Sequence, residues 1–160
     1  MSTCRAPTAT TAAAACPMDD TRARIVREAR RWIGTPYCHQ ASTLGAGCDC
    51  LGLVRGVWRA VHGAEPVPVP PYGPDWAETG GTEALWQALA NLWPAATGPM
   101  RPGEVLLFRM RAGSMAKHLG LATQAGPGAR FVHAYSGHGV VESALSAPWA
   151  RRIVARFDMT

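Results

Sequence analysis

No stretch of this chain approaches the roughly 20 consecutive apolar residues of a membrane-spanning helix, which argues against membrane insertion. Charge is also scarce. Only 17% of the 160 residues are charged and 48% are hydrophobic, the reverse of a disordered composition, so one domain with a substantial core is expected. Acidic side chains are in short supply: Lys+Arg 16 against Asp+Glu 11 leaves a formal charge of +5. A modest positive charge suits an acidic partner such as nucleic acid, anionic lipid or an anionic wall polymer. The basic residues are spread out with no nucleic-acid motif, and a glycine-rich phosphate loop is absent, so nucleic acid is not expected as a partner. Zinc-type cysteine pairs are missing too. Cys38, His39, Cys48 and Cys50 lie within 13 residues, but Cys48 and Cys50 are one residue apart and no second pair follows. No metal or other cofactor is therefore expected. The five cysteines (Cys4, Cys16, Cys38, Cys48 and Cys50) are an odd number, which excludes a fully paired disulfide framework and suits reduced thiols.

Residues 1–18 are rich in Thr and Ala, and threonine breaks any apolar run of secretory-signal length. They are read as a flexible tail on a protein made in the cytoplasm, with one domain over residues 19–160. Asp19 and Asp20 offer helix N-caps, and Ile25, Val26, Ala29, Trp32 and Ile33 recur at helical spacing. This predicts an amphipathic helix over about 20–33, ended by Gly34 and Pro36, with its arginines on a solvated face. Residues 34–48 read as loop. Asp49 can cap a second helix, with Cys50, Leu53, Val54, Val57, Trp58 and Val61 as its apolar set and Gly63 closing it. Five prolines over residues 65–74 predict an extended surface loop, and Thr82 to Trp93 a third helix.

Beyond Pro94 the pattern changes to short strands: Glu104 to Arg109, His118 to Thr123, Arg130 to Tyr135, Val140 to Ser143 and Arg152 to Phe157. Helices followed by antiparallel strands predict an α+β domain with helices packed on one face of a small sheet.

Chemistry concentrates in Gly47-Cys48-Asp49-Cys50-Leu51-Gly52-Leu53-Val54. Cys50 falls in the first turn of a predicted helix, where free N–H groups and the helix dipole favour the thiolate, the nucleophilic form. Gly52 permits close approach of another backbone or a substrate. A nucleophilic thiol needs a base, usually histidine. His118 and His133 both fall on predicted strands, and a meander sets them side by side, one to deprotonate the thiol and the other to orient the first. His39, His62 and His138 are weaker candidates.

Four segments, in order, resemble the NlpC-type cell-wall cysteine endopeptidases of the papain-like superfamily: Gly34-Thr35-Pro36-Tyr37, Asp49-Cys50-Leu51-Gly52-Leu53-Val54, His118-Leu119-Gly120-Leu121 and Phe131-Val132-His133-Ala134. The resemblance runs from about Asp20 to the C-terminus and is nearer to the compact forms of tailed phages and gene transfer agents. It implies a papain-like fold with Cys50 as nucleophile, His118 as general base, His133 as its orienter and Tyr37 beside the backbone N–H of Cys50 in stabilising the oxyanion. Asp49 would bind substrate or cap its helix. The family often has Ser after the nucleophile, where it and the Asp help to hold a free substrate amine; Leu51 stands there instead. The family's Tyr-x-Trp-Gly-Gly is here Tyr37-Cys38-His39-Gln40, so the groove rim differs.

The resemblance thus implies hydrolysis of peptidoglycan stem peptides between D-γ-glutamate and the diamino acid. It further implies a place in a phage-like tail, tail-hub or tail-tip proteins as partners, and action in the host cell wall or periplasm. Two other readings fit the same residues: a docking tail protein with a vestigial site, and another papain-like amidase or acyltransferase.

Overall fold

The computed structural model describes residues 19–73 and 82–160; the predicted tail over residues 1–18 lies outside the described residues. Helix α1 spans Asp20–Arg31, and the Asp19 carboxylate accepts the Thr21 N–H at 3.3 Å as its N-cap. Its buried face carries Ile25, Val26 and Ala29. The arginines are not all on a solvated face, as the spacing suggests. Arg22 is buried, pairs with Asp158 and donates to the Pro102 carbonyl at 3.4 Å, while Arg30 reaches Glu142 at 2.9 Å. Both partners come from the C-terminal half, which a local pattern does not reveal.

Residues 34–48, expected as loop, contain a two-stranded antiparallel ribbon, β1 (Ser42–Thr43) and β2 (Gly47–Cys48). Strands two residues long are too short for a period-2 signal. Helix α2 follows as Cys50–His62, with Asp49 as N-cap and Gly63, at φ +93°, as C-cap. Residues 65–73 of the proline-rich stretch carry neither helix nor strand, and α3 covers Ala84–Leu92.

The five strands predicted from the sequence are present as β3 (Val105–Phe108), β4 (His118–Gln124), β5 (Arg130–Tyr135), β6 (Gly139–Ala144) and, after a short helix α4 (Ala147–Ala150), β7 (Ile153–Phe157). They form one antiparallel sheet in the order β6-β5-β4-β3-β7. The domain is therefore α+β, with the N-terminal helices packed on a five-stranded antiparallel sheet.

Alternation along the strands divides the core. Val105, Leu107, Leu119, Leu121 and Val132 meet Ile25, Trp32, Leu53 and Val57 of the helical layer. Leu106, Phe108, Ala122 and Phe131 face the other way, covered by Trp149 of α4, Met110 and Ile153. Both faces are thus buried, which is why β3 reads as an unbroken apolar run rather than an alternating one.

Helices α1 and α2 approach closely at Gly56. A Cβ there would lie 2.0 Å from the Trp32 ring. Gly56→Ala should therefore force the two helices apart and lower the unfolding free energy in urea by about 1–3 kcal/mol, the usual cost of overpacking. An unchanged urea midpoint would contradict this account of the helical layer.

Candidate active site

The chemistry-bearing residues converge where α2 begins against the first residue of β4. Cys50 is the first residue of α2, and His118 the first of β4. Both line one cleft of about 300 Å³, together with Tyr37, His39, Asp49, Leu51, Tyr72, Leu85, Met110 and Lys117. The Cys50 Sγ lies 3.8 Å from the Lys117 carbonyl, next to His118 in the chain.

The start of α2 is held by a dense set of backbone contacts. The Cys48 N–H donates to the Pro36 carbonyl at 3.0 Å, and the Cys38 N–H to the Cys48 carbonyl at 3.0 Å. The Gly34 N–H donates to the Val140 carbonyl at 2.9 Å, and the Val140 N–H to the Thr35 carbonyl at 2.9 Å. The segment carrying Tyr37 is thereby fastened to β2, two residues before Cys50, and to β6. Gly52 has a steric reason of its own: a Cβ there would lie 1.9 Å from the Ala41 carbonyl oxygen.

Asp49 is 3% exposed and its carboxylate collects donors from three directions. Oδ1 accepts the Gly52 N–H at 2.7 Å, the N-cap bond of α2. Oδ2 accepts the Gln40 N–H at 2.8 Å and the Tyr72 hydroxyl at 2.6 Å. Gln40 is the non-glycine residue with positive φ (62°) among the described residues, a strained conformation that turns its N–H toward this carboxylate. The Tyr72 carbonyl accepts from His39 Nε2 at 2.9 Å, so that nitrogen carries a proton, and His39 Nδ1 stands 3.5 Å from Asp49 Oδ2.

The two sheet histidines do lie side by side. His118 Nε2 and His133 Nδ1 are 2.9 Å apart, and His133 Nε2 is 3.0 Å from Ser143 Oγ. Alternation places both rings on the Phe108–Phe131 face, and Trp149 packs on them with centroids 5.9 Å and 5.1 Å away. One proton arrangement makes His118 a base toward the thiol: Nδ1 bare, Nε2–H donating to His133 Nδ1, and His133 Nε2–H donating to Ser143. Ser143 and Trp149 were not picked out from the sequence, nor was Tyr72. His62 and His138 lie outside the cleft: His62 stacks on Trp58 and His138 on Tyr135.

Burial governs the charge state. It pushes the Cys50 thiol up to about 12, aided by the adjacent Asp49 carboxylate. Backbone hydrogen bonds at Leu119, Leu51 and Cys50 act in the opposite sense without winning. Burial likewise lowers His118 to about 3, with His133 adding to the effect, and lowers His133 to about 4. Burial also raises the Tyr37 phenol, which is 38% exposed at the cleft mouth. The helix N-terminus alone suggested a stabilised thiolate; the enclosed setting favours neutral thiol beside neutral imidazole instead.

Cys38, Cys48 and Cys50 are free thiols, and Cys48 is fully buried. Among the described residues no group of three or more His, Cys, Asp or Glu is placed to hold a metal ion. None of the described helices is long and apolar enough to cross a membrane. Cys4 and Cys16 lie outside the described residues.

No protein-family model matches the chain. Curated proteins do. Gamma-DL-glutamyl hydrolase of Bacillus subtilis is 31% identical over 137 residues, 84% of this chain and 29% of its own length. Murein DD-endopeptidase MepS/murein LD-carboxypeptidase of Escherichia coli is 29% identical over 144 residues, 86% of this chain and 65% of its own length. The chain thus spans less than two thirds of either relative. Among solved structures, the NlpC/p60 domain of the peptidoglycan hydrolase SagA superposes with TM-score 0.55 at 24% identity, covering 86% of this chain and 98% of that one. A lipoprotein-like NLP/P60 protein of Staphylococcus aureus gives 0.54 at 19% identity, over 92% and 44%.

Neutral partners make thiolate a minor species whose population rises tenfold per pH unit. The rate of Cys50 alkylation by iodoacetamide, read by peptide mass spectrometry, should rise with unit slope from about pH 6 to about pH 9 without a plateau. A plateau through neutral pH would show a preformed thiolate–imidazolium pair and contradict the burial argument.

Proposed function

We propose that the chain, whose fold is of NlpC/P60 type, is a papain-like cysteine peptidase hydrolysing peptidoglycan peptides. The observation that carries the reading is the hydrogen-bonded line of His118, His133 and Ser143, with His118 on the wall of the same cleft as the free thiol of Cys50. A scaffold has no need of two buried, hydrogen-bonded imidazoles, one of them lining the same cleft as a free thiol.

In the reaction, Cys50 Sγ attacks the scissile carbonyl carbon as its proton passes to His118 Nδ1. The oxyanion is met by the Cys50 backbone N–H and the Tyr37 hydroxyl. Burial disfavours the imidazolium that forms, so its Nε2–H···Nδ1 bond to His133 stabilises charge at the step where charge appears. The Ser143 contact holds His133 in the tautomer able to accept that bond. The tetrahedral intermediate collapses, the C–N bond breaks, and His118 returns the proton to the leaving amine. Water then attacks the thioester, losing a proton to His118, and the carboxylic acid leaves as Cys50 regains its thiol.

The bond proposed is that between D-γ-glutamate and the diamino acid. The order of the four sequence motifs supports it, as does likeness to a relative named a gamma-DL-glutamyl hydrolase. Delivery in a phage-like tail, with hub or tip proteins as partners and the cell wall or periplasm as place of action, is proposed on the sequence resemblance alone.

Wild type incubated with purified peptidoglycan sacculi should release stem-peptide fragments bearing a new amine, whose masses name the bond. Cys50→Ala should lose about 10⁴-fold or more of that activity while keeping its fold. Equal release by both proteins, or none by folded wild type, would sink the proposal.

A further inference from the structure

The cleft at Cys50 is lined by two groups of fixed charge, Asp49 and Lys117, and by the imidazoles of His39 and His118, and a peptide with its scissile carbonyl at Cys50 would pass them. A substrate ammonium would seek the carboxylate. That carboxylate is already filled: both acceptor positions of Oδ2 are taken by the Gln40 N–H and the Tyr72 hydroxyl, and His39 Nδ1 stands 3.5 Å from the same oxygen. Oδ1 is turned into the first turn of α2, where it accepts the Gly52 N–H and would stand 3.2 Å from a Cβ on that residue. The surface beside it is apolar, from Leu51, Leu85 and Met110. An ammonium bound there would lose its hydration without a charge-assisted bond in return. An acylated nitrogen carries no charge and avoids that penalty.

Tyr72 is the adjustable member of this arrangement. Its segment reaches the cleft through the hydroxyl bond to Asp49, its carbonyl accepts from His39, and its ring stands edge-on to the His39 ring with centroids 5.2 Å apart. Gln40 and Gly52, by contrast, contribute backbone groups that no side-chain change removes.

We propose that Tyr72 is a specificity-determining residue which, by occupying Asp49, directs this site to stem peptides whose amino end is acylated, as in peptides still joined to the glycan, and away from free-amine peptides. This rests on the hydrolase reading above. It assigns a selective role to a residue of the proline-rich segment, which the motif pattern does not mark.

The test compares two synthetic stem tripeptides, L-Ala-γ-D-Glu-diamino acid with a free amino terminus and its N-acetyl form, by kcat/KM from mass spectrometry at neutral pH. Wild type should prefer the acetylated peptide by roughly tenfold, the worth of one charge-assisted hydrogen bond. Tyr72→Phe keeps the ring and frees one acceptor position on Asp49, so it should close most of that gap by raising the free-amine rate. Binding to folded Cys50→Ala, measured by calorimetry, should show the same preference without turnover. Cleavage of the free-amine peptide as well as or better than the acetylated one, or an unchanged ratio in Tyr72→Phe, overturns the specificity proposal and leaves the hydrolase reading standing. Cleavage of neither peptide by wild type overturns both.

Discussion

The arrangement depends first on one buried carboxylate. Asp49 ends the ribbon, caps α2 through Gly52, holds the strained Gln40 and receives the Tyr72 hydroxyl. A carboxylate at 3% exposure is costly unless its oxygens are fully engaged, and here they are. The consequence is positional. With the first turn of α2 tied to two other pieces of chain, at Gln40 and Tyr72, Cys50 is held beside the start of β4 on the same cleft wall as His118.

The second constraint is the sheet. Because strands alternate, the residues that bring β4 and β5 against the helices leave His118 and His133 on the opposite face, under Trp149. Enclosure there withholds water from both rings and keeps them neutral. A neutral base beside a neutral thiol is a ground state without charge separation. Charge then develops only in the transition state, where the hydrogen-bonded line to His133 and Ser143 is already in place. His133 gives a dipole rather than the negative charge of a carboxylate, so its part is orientation and local polarisation.

Much of this was legible in the sequence because it is local. A Gly-Thr-Pro-Tyr turn, an aspartate before a helix with cysteine in its first turn, and two histidines on neighbouring strands are short-range signals, and the structure brings Tyr37, Asp49, Cys50, His118 and His133 together. The missed residues act across the chain. Tyr72 meets Asp49 from 23 positions away, out of a stretch whose prolines announce only a loop. Ser143 is an ordinary serine until the pairing of β5 with β6 sets it within reach of His133. Trp149 sits on a four-residue helix too short to show a period, and the ribbon of β1 and β2 is shorter still. Arg22 looked like one of several solvated arginines because its partner, Asp158, stands at the far end of the chain. The charge state of the thiol was hidden for a different reason: helix position is written in the sequence, whereas burial is a property of the whole fold.

The central claim is that Cys50 is acylated during turnover. Intact and peptide-level mass spectrometry of wild type, quenched in acid while it digests a stem peptide, tests it most directly. The account predicts a mass increase on Cys50 equal to the acyl fragment, absent in Cys50→Ala and reversed as substrate is exhausted. Product accumulating with no adduct on Cys50, or with turnover persisting in Cys50→Ala, would contradict it.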